Sequence, residues 1–152
     1  MKLMSKISID LIWRLGDGIL TPGNYSNQHE IKFNPHISIS GDAAPDWRGD
    51  IKNSNPEQAL AASLSSCHMM TFLALVAKMK WPVLSYKDKA IATLGKNSEG
   101  KMSVTEIQLN PKVEFSNGFS VDNQKMREIQ DRAHRYCFIA NSLSNEVKVK
   151  IN

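Results

Sequence analysis

The segment from Asn55 to Pro82 constrains this chain more than any other. Asn55-Pro56-Glu57-Gln58 reads as a helix start. Asn55 can cap, Pro56 suits the first helical position, where its missing N–H costs nothing, and Gln58 stands where a capping box has its Glu or Gln. Trp81-Pro82 is the stop, because the residue before a proline is pushed out of the α region. A helix running to about Lys80 is expected between them. Leu60, Leu64, Met69, Met70, Phe72, Leu73, Leu75 and Val76 surround it rather than line one stripe. A helix that is apolar all round is expected to be buried. A chain of 152 residues buries one most easily inside a wrap of sheet or against a second copy of itself.

The remaining patterns fit one domain spanning residues 1–152. Ile7 to Trp13 alternates as a strand, and His29 to Ser40 carries Ile31, Phe33, Ile37 and Ile39 at odd positions as a second. Gly41 to Asn55 has no periodicity and reads as a long loop, long enough for a functional role. Val83 to Leu94 and Met102 to Phe115 are strand patterns joined by a hairpin loop at Lys96 to Gly100, with Pro111 implying an edge or a bulge. Asp122 can cap a second helix carrying Met126, Ile129, Ala133 and Tyr136 on one face, with Cys137 at its end. Glu146 to Ile151 alternates as a last strand. The order is β-β-α-β-β-α-β, an α+β chain.

Charge excludes more than it suggests. The net charge of +4 comes from scattered residues such as Lys78 and Lys80 or Lys148 and Lys150. These read as solvated strand faces, and no basic stripe for nucleic acid is present. Met1-Lys2-Leu3-Met4-Ser5-Lys6 is not followed by the apolar run of a leader peptide. The apolar stretch Ala59 to Met79 is interrupted by Ser63, Ser65, Ser66, His68, Thr71 and Lys78, so no membrane span is expected. A cytoplasmic address follows, where structural disulfides are rare. The two cysteines, Cys67 and Cys137, are then either inert buried thiols or redox-active ones.

Cys67 falls in the middle of the apolar helix. Burial alone would raise its pKa and silence it, and the helix N-terminus is too far away to help. A reactive Cys67 needs positive charge brought to it, and Arg48 in the long loop and Arg14 after the first strand are the candidates. His68 is next in sequence but about 100° away around the helix, which favours a packing role over that of a base. Glu57 sits in the helix's first turn, where a carboxylate favours the dipole on any reading. Cys67 and Cys137 are on separate helices and can meet only if those helices pack. A peroxidatic thiolate would become a sulfenic acid, which a nearby second thiol closes to a disulfide. A zinc site is not expected, since His68 and His134 are the only histidines near the two cysteines.

Asn55-Pro56-Glu57-Gln58 followed by Leu60-Ala61-Ala62-Ser63-Leu64-Ser65-Ser66-Cys67 resembles the pattern of the OsmC/Ohr family, the osmotically inducible and organic hydroperoxide resistance proteins. The similarity extends to Cys137 after an amphipathic helix and covers about Ile7 to Ile151. Asp46-Trp47-Arg48-Gly49-Asp50 and His68-Met69 resemble the OsmC-like branch. The resemblance implies an intertwined homodimer whose two central helices are wrapped by antiparallel sheets. It implies a cofactor-free thiol peroxidase that reduces organic hydroperoxides through Cys67, with Cys137 resolving a Cys67–Cys137 disulfide. It assigns Glu57 to an activating arginine, Arg48 in preference to Arg14, and suggests a dithiol or lipoylated protein as reductant. Phe138 departs from the proline that often follows the second cysteine. The other reading, from a different class, is a non-catalytic stress-related binding or structural protein on the same fold.

Overall fold

The computed structural model describes residues 5–152, so Met1 to Met4, which bear on the leader reading, lie outside the described residues. Contacts divide the chain into two compact units at Ala59 and Leu60.

The first unit is a three-stranded antiparallel sheet of β1 (Asp10–Trp13), β2 (His29–Asn34) and β3 (Ile37–Gly41). The sequence reading made one strand of His29 to Ser40. It is a hairpin instead, turning at Pro35 and His36, where the Asn34 side chain accepts from the His36 N–H at 2.9 Å. Proline cannot donate to a ladder, so the chain breaks there. The loop beyond β3 is built on Asp42, which is buried. Its carboxylate accepts from the N–H of Ala43 at 2.7 Å and of Asp50 at 3.0 Å. A short 3-10 turn, Pro45–Trp47, lies inside this loop. Gly49 closes it so tightly that a Cβ there would fall 1.6 Å from the carbonyl oxygen of Ala43.

Helix α1 (Pro56–Lys78) opens as expected. The Asn55 side chain accepts from the Gln58 N–H at 2.9 Å, and the Gln58 side chain accepts from the Asn55 N–H at 3.2 Å, the reciprocal pair of a capping box. It stops two residues early, with Lys80 in the left-handed region (φ 57°). Its burial differs from the expectation. One stripe is buried, Ala61, Leu64, His68, Phe72 and Val76, while Ala62, Ser66, Met70, Ala74 and Ala77 are exposed, because the chain by itself supplies cover on one side only. Contrary to the sequence reading, α1 is long and apolar enough to cross a membrane by length and composition. The interrupting hydroxyls of Ser63 and Thr71 bond back to the carbonyls of Leu60 and Cys67, so they are met within the helix itself. Its buried stripe is that of a core helix packed on its own fold.

The second unit adds α2 (Asn123–Tyr136), capped by Asp122 as expected: its carboxylate accepts from the Lys125 N–H at 2.8 Å. Each of the two long strand patterns is broken in two. β4 (Val83–Lys87) and β5 (Ile91–Lys96) part at Asp88 to Ala90, and β6 (Met102–Leu109) and β7 (Lys112–Phe115) part at Asn110-Pro111. Pro111 thus ends a strand rather than bulging one. The break lets β4 pair with β7 in one sheet while β5 and β6 pair in another. Asp88 fixes it, accepting from the Asn110 N–H at 2.6 Å and from the Ser65 hydroxyl at 2.5 Å. The last strand, β8 (Lys148–Ile151), is two residues shorter than expected and joins β6 in parallel, so the third sheet is mixed, β5-β6-β8. Among the described residues the order has eight strands where the sequence suggested five. Its two helices and antiparallel hairpins are the α+β class read from the sequence.

Two apolar clusters fill this unit. One joins Ala61, Leu64, Ile107, Leu109 and Cys137, and the other joins Phe72, Val76, Ile129 and Ala133. The α1 stripe runs through both, and His68 falls between them.

Candidate functional site

Cys67 and Cys137 both pack on the first of these clusters. Cys67 is half-buried on α1, and Cys137 is fully buried at the C-cap of α2. At Cys137 the backbone turns extended (φ −71°, ψ 118°), and its N–H still donates to the His134 carbonyl at 3.2 Å. The chain then coils at once into a second short turn. The Asn141 N–H donates to the Cys137 carbonyl at 3.0 Å, and the Ala140 N–H donates to the Cys137 Sγ at 3.4 Å. Cys137 therefore closes one helix and caps the turn that follows.

The first N–H groups of any such turn lack partners within it. Ile139 and Cys137 pack with Cys67 on one cluster, and the N–H groups of Ile139 and Phe138 and the Cys137 S–H favour the Cys67 thiolate. Burial pushes the Cys67 thiol up, but the Ile139 N–H, the Cys137 S–H and the Phe138 N–H outweigh it and hold the thiol below its ordinary 9.0. The Thr71 hydroxyl, which donates to the Cys67 carbonyl at 2.9 Å, adds the least. Cys137 moves the other way. Burial raises it first, against the Ala140 N–H, and its bond to Cys67 and the charge there raise it further. The pair is therefore asymmetric: one sulfur is stabilised as thiolate and the other is kept as the thiol that donates to it. A thiolate can attack an electrophile, and a sulfur bonded to it can close a disulfide afterwards.

The sequence reading sought a cation for Cys67 and missed these donors. Peptide N–H groups carry no residue identity, and the only trace of them in the sequence is a cysteine placed where a helix ends. His68, next to Cys67, is fully buried and shares a hydrogen bond with Gln130 at 2.7 Å, the packing role expected of it.

Glu57 and Arg48 belong to the first unit. Glu57 keeps one carboxylate oxygen, Oε2, buried and without a hydrogen-bond partner among the described residues. Arg48 ends the 3-10 turn in the left-handed region (φ 68°), and its side chain is exposed. One guanidinium nitrogen lies 3.6 Å from where a Cβ on Gly23 would stand. Among the described residues no ion pair joins Arg48 or Arg14 to Glu57.

Two helices among antiparallel sheets, with two cysteines packed on one cluster, define an α+β protein with a close pair of thiols. The chain belongs to the OsmC-like family, whose model matches residues 49–152. It is similar to an OsmC-like protein of unknown function from Vibrio cholerae, at 39% identity over 98% of this chain and 100% of that one, with a TM-score of 0.89. It shares its fold with an organic hydroperoxide resistance protein from Elizabethkingia anophelis, at 18% identity over 99% and 96% of the two chains and a TM-score of 0.75. It also shares it with the organic hydroperoxide resistance protein OhrB of Bacillus subtilis, at 18% identity over 96% and 97% and a TM-score of 0.67. None of the curated proteins matches the chain.

Proposed function

We propose that this chain is a thiol-dependent peroxidase that reduces organic hydroperoxides to alcohols. The observation that carries the reading is that Cys67 and Cys137, from two different helices, pack on one apolar cluster, with the Cys67 thiol lowered and the Cys137 thiol raised. The Cys67 thiolate attacks a peroxide oxygen, the O–O bond breaks, and the alkoxide leaves as alcohol after taking a proton. Cys67 is left as a sulfenic acid. The Cys137 sulfur then attacks it, an S–S bond forms, and water departs. A dithiol or lipoylated protein returns the two electrons, in a reducing, cytoplasmic setting. The reaction as drawn uses no cofactor and no metal.

Arg48 supplies additional positive charge in this reading, with Arg14 as the second choice, and Glu57 orients the guanidinium. The unpartnered, buried Glu57 oxygen supports that role, since a buried carboxylate oxygen is costly without a donor. The working form is a homodimer. Its support is the open face of α1 at Ala62, Ser66, Met70, Ala74 and Ala77, together with the uncovered apolar side chains of the first sheet. Sedimentation at micromolar concentration should give a dimer, and a monomer there removes this part.

The test of the chemistry is peroxide consumption. tert-Butyl hydroperoxide is compared with hydrogen peroxide, using lipoyl and thioredoxin donors. Cys67→Ser should abolish turnover. Cys137→Ser should consume one equivalent and stall as a sulfenic or over-oxidised acid. Equal activity in the two variants sinks the assignment. Free thiols that persist at Cys67 and Cys137 after cumene hydroperoxide would point instead to a non-catalytic binding or structural protein.

A further inference from the structure

The two cysteines belong to different helices, and what fixes one helix against the other is worth tracing. Both buried stripes are apolar except at one place. On α1 the stripe runs Ala61, Leu64, His68, Phe72, Val76, and on α2 the buried residues are Ile129, Gln130 and Ala133. His68 is 0% exposed and Gln130 5%, and the imidazole Nε2 lies 2.7 Å from the Gln130 Oε1. An amide oxygen only accepts, so the ring carries its proton on Nε2 and donates. The Gln130 amide nitrogen is held in turn, donating to the Met126 sulfur at 3.9 Å. The His68 Nδ1 is buried with no partner, so the ring has no other bond to fall back on. Among the described residues, and apart from the cysteine pair at the C-cap of α2, no other side-chain hydrogen bond joins Pro56–Lys78 to Asn123–Tyr136.

Packing of Leu, Phe and Ile side chains is non-directional and tolerates small rotations and slips of one helix on another. A hydrogen bond in an apolar seam tolerates neither, because a shift leaves two buried polar groups unmet. A disulfide needs that restriction, since its Cα atoms must stand within about 4.4–6.8 Å and its Cβ vectors must converge. His68 directly follows Cys67, and Gln130 is two turns before Cys137 on the same face of α2.

We propose that the His68–Gln130 bond is the positioning element of the cysteine pair: it sets the rotation and register of α1 against α2 at which the Cys67 and Cys137 sulfurs can bond. This rests on the reading of the two cysteines as a pair that closes. Neither residue touches the peroxide.

The test needs no peroxide. The full-length protein is equilibrated with reduced and oxidised dithiothreitol, and free thiols are counted by mass after alkylation. In each exchange the protein disulfide is reduced to two thiols and dithiothreitol is oxidised to its cyclic disulfide, two electrons and two protons passing between them. The double variant His68→Leu/Gln130→Leu replaces both partners with apolar groups of similar size, so folding is retained while the directional bond is lost. Its equilibrium should shift at least tenfold toward the dithiol, with a thermal midpoint no lower than the wild-type's. Gln130→Glu keeps an acceptor for His68 and should hold the equilibrium within about threefold of wild-type, a rescue that loss of general packing would not give. Should the double variant not fold, Gln130→Met is read in its place. A variant lacking the bond that matches the wild-type equilibrium, or a Gln130→Glu that shifts as far as the double variant, overturns this inference alone. A wild-type protein that closes no disulfide overturns it together with the peroxidase reading.

Discussion

The two units of this chain are held together in different ways. From Leu60 onward, Leu64, Phe72, Ile107 and Leu109 are at 0% exposure, and the helices and sheets bury one another's apolar faces. Before Ala61, no apolar side chain among the described residues is buried. Leu11, Leu20, Phe33 and Ile37 are all more than two-fifths exposed, and the first sheet relies on ladder bonds, the Asp42 loop and local contacts such as Trp13 Nε1 to the Ser26 carbonyl at 2.8 Å. Ladder bonds contribute little net stability when water competes for the same groups, whereas burial contributes roughly 25 cal/mol per Å² of apolar surface. The contrast teaches that strand alternation announces a face to be covered without saying which chain covers it. The second unit covers itself, and the first presents its apolar side outward.

Substitution of a core residue should expose that contrast most strongly. Phe72→Ala should cost about 3–5 kcal/mol, with a thermal midpoint that falls equally at low and high protein concentration. Leu11→Ala should cost under about 1 kcal/mol in dilute protein and more as concentration rises, if a second copy covers the first sheet. Equal losses at all concentrations would mean that the first sheet is covered from within.

The next test asks whether Arg48, in the first unit, acts on the Cys67 thiol. With Cys137 replaced by serine throughout, alkylation of Cys67 should rise with pH through a midpoint below the ordinary 9.0. The lowered thiol should give a larger thiolate fraction at neutral pH than a free cysteine has, read as faster alkylation. Arg48→Ala should move that midpoint up and slow the oxidative step at least tenfold, with Glu57→Ala smaller in the same direction. An unchanged profile makes Arg48 a loop residue and turns attention to Arg14.

The smallest effect tests the second unit's own contribution. Phe138→Pro removes one N–H beside Cys67 and should raise the midpoint, by less than Arg48→Ala does. Cys137 is already in the extended conformation a following proline demands, so the backbone accepts the change. Phe138→Ala keeps the N–H and should leave the midpoint in place. If alanine moves it as far as proline, the side chain matters and not the amide.

Local chemistry was legible in the sequence wherever it is written in residue types. The Asn55–Gln58 capping box, the Asp122 cap and the hairpin read at Lys96 to Gly100, with Lys96 itself ending the strand, are all present, because each depends on particular side chains at fixed offsets. Breaks inside strand patterns were not legible. Alternation continues across Asp88 to Ala90, and it is the Asp88 carboxylate, bonded to Ser65 and Asn110 from other elements, that turns the chain there. The cysteine pair could be named from the sequence, but its donors could not, since Phe138 and Ile139 act through backbone atoms that every non-proline residue shares. Gln130 was equally hidden. A glutamine on a helix full of charge reads as solvent-facing until the histidine opposite it is found.

The parallel pairing of β8 with β6 bears on how this protein is made. β8 lies about forty residues beyond its partner, and the turn that carries the Phe138 and Ile139 amides lies between α2 and that last strand. Such a long-range contact forms late, after its loop-closure entropy has been met. On the ribosome, Cys67 emerges some seventy residues before Cys137, and the segment that holds the second thiol is anchored only once Ile151 has been added. Through that interval Cys67 is without the Ile139 segment that packs on the same apolar cluster in the folded chain.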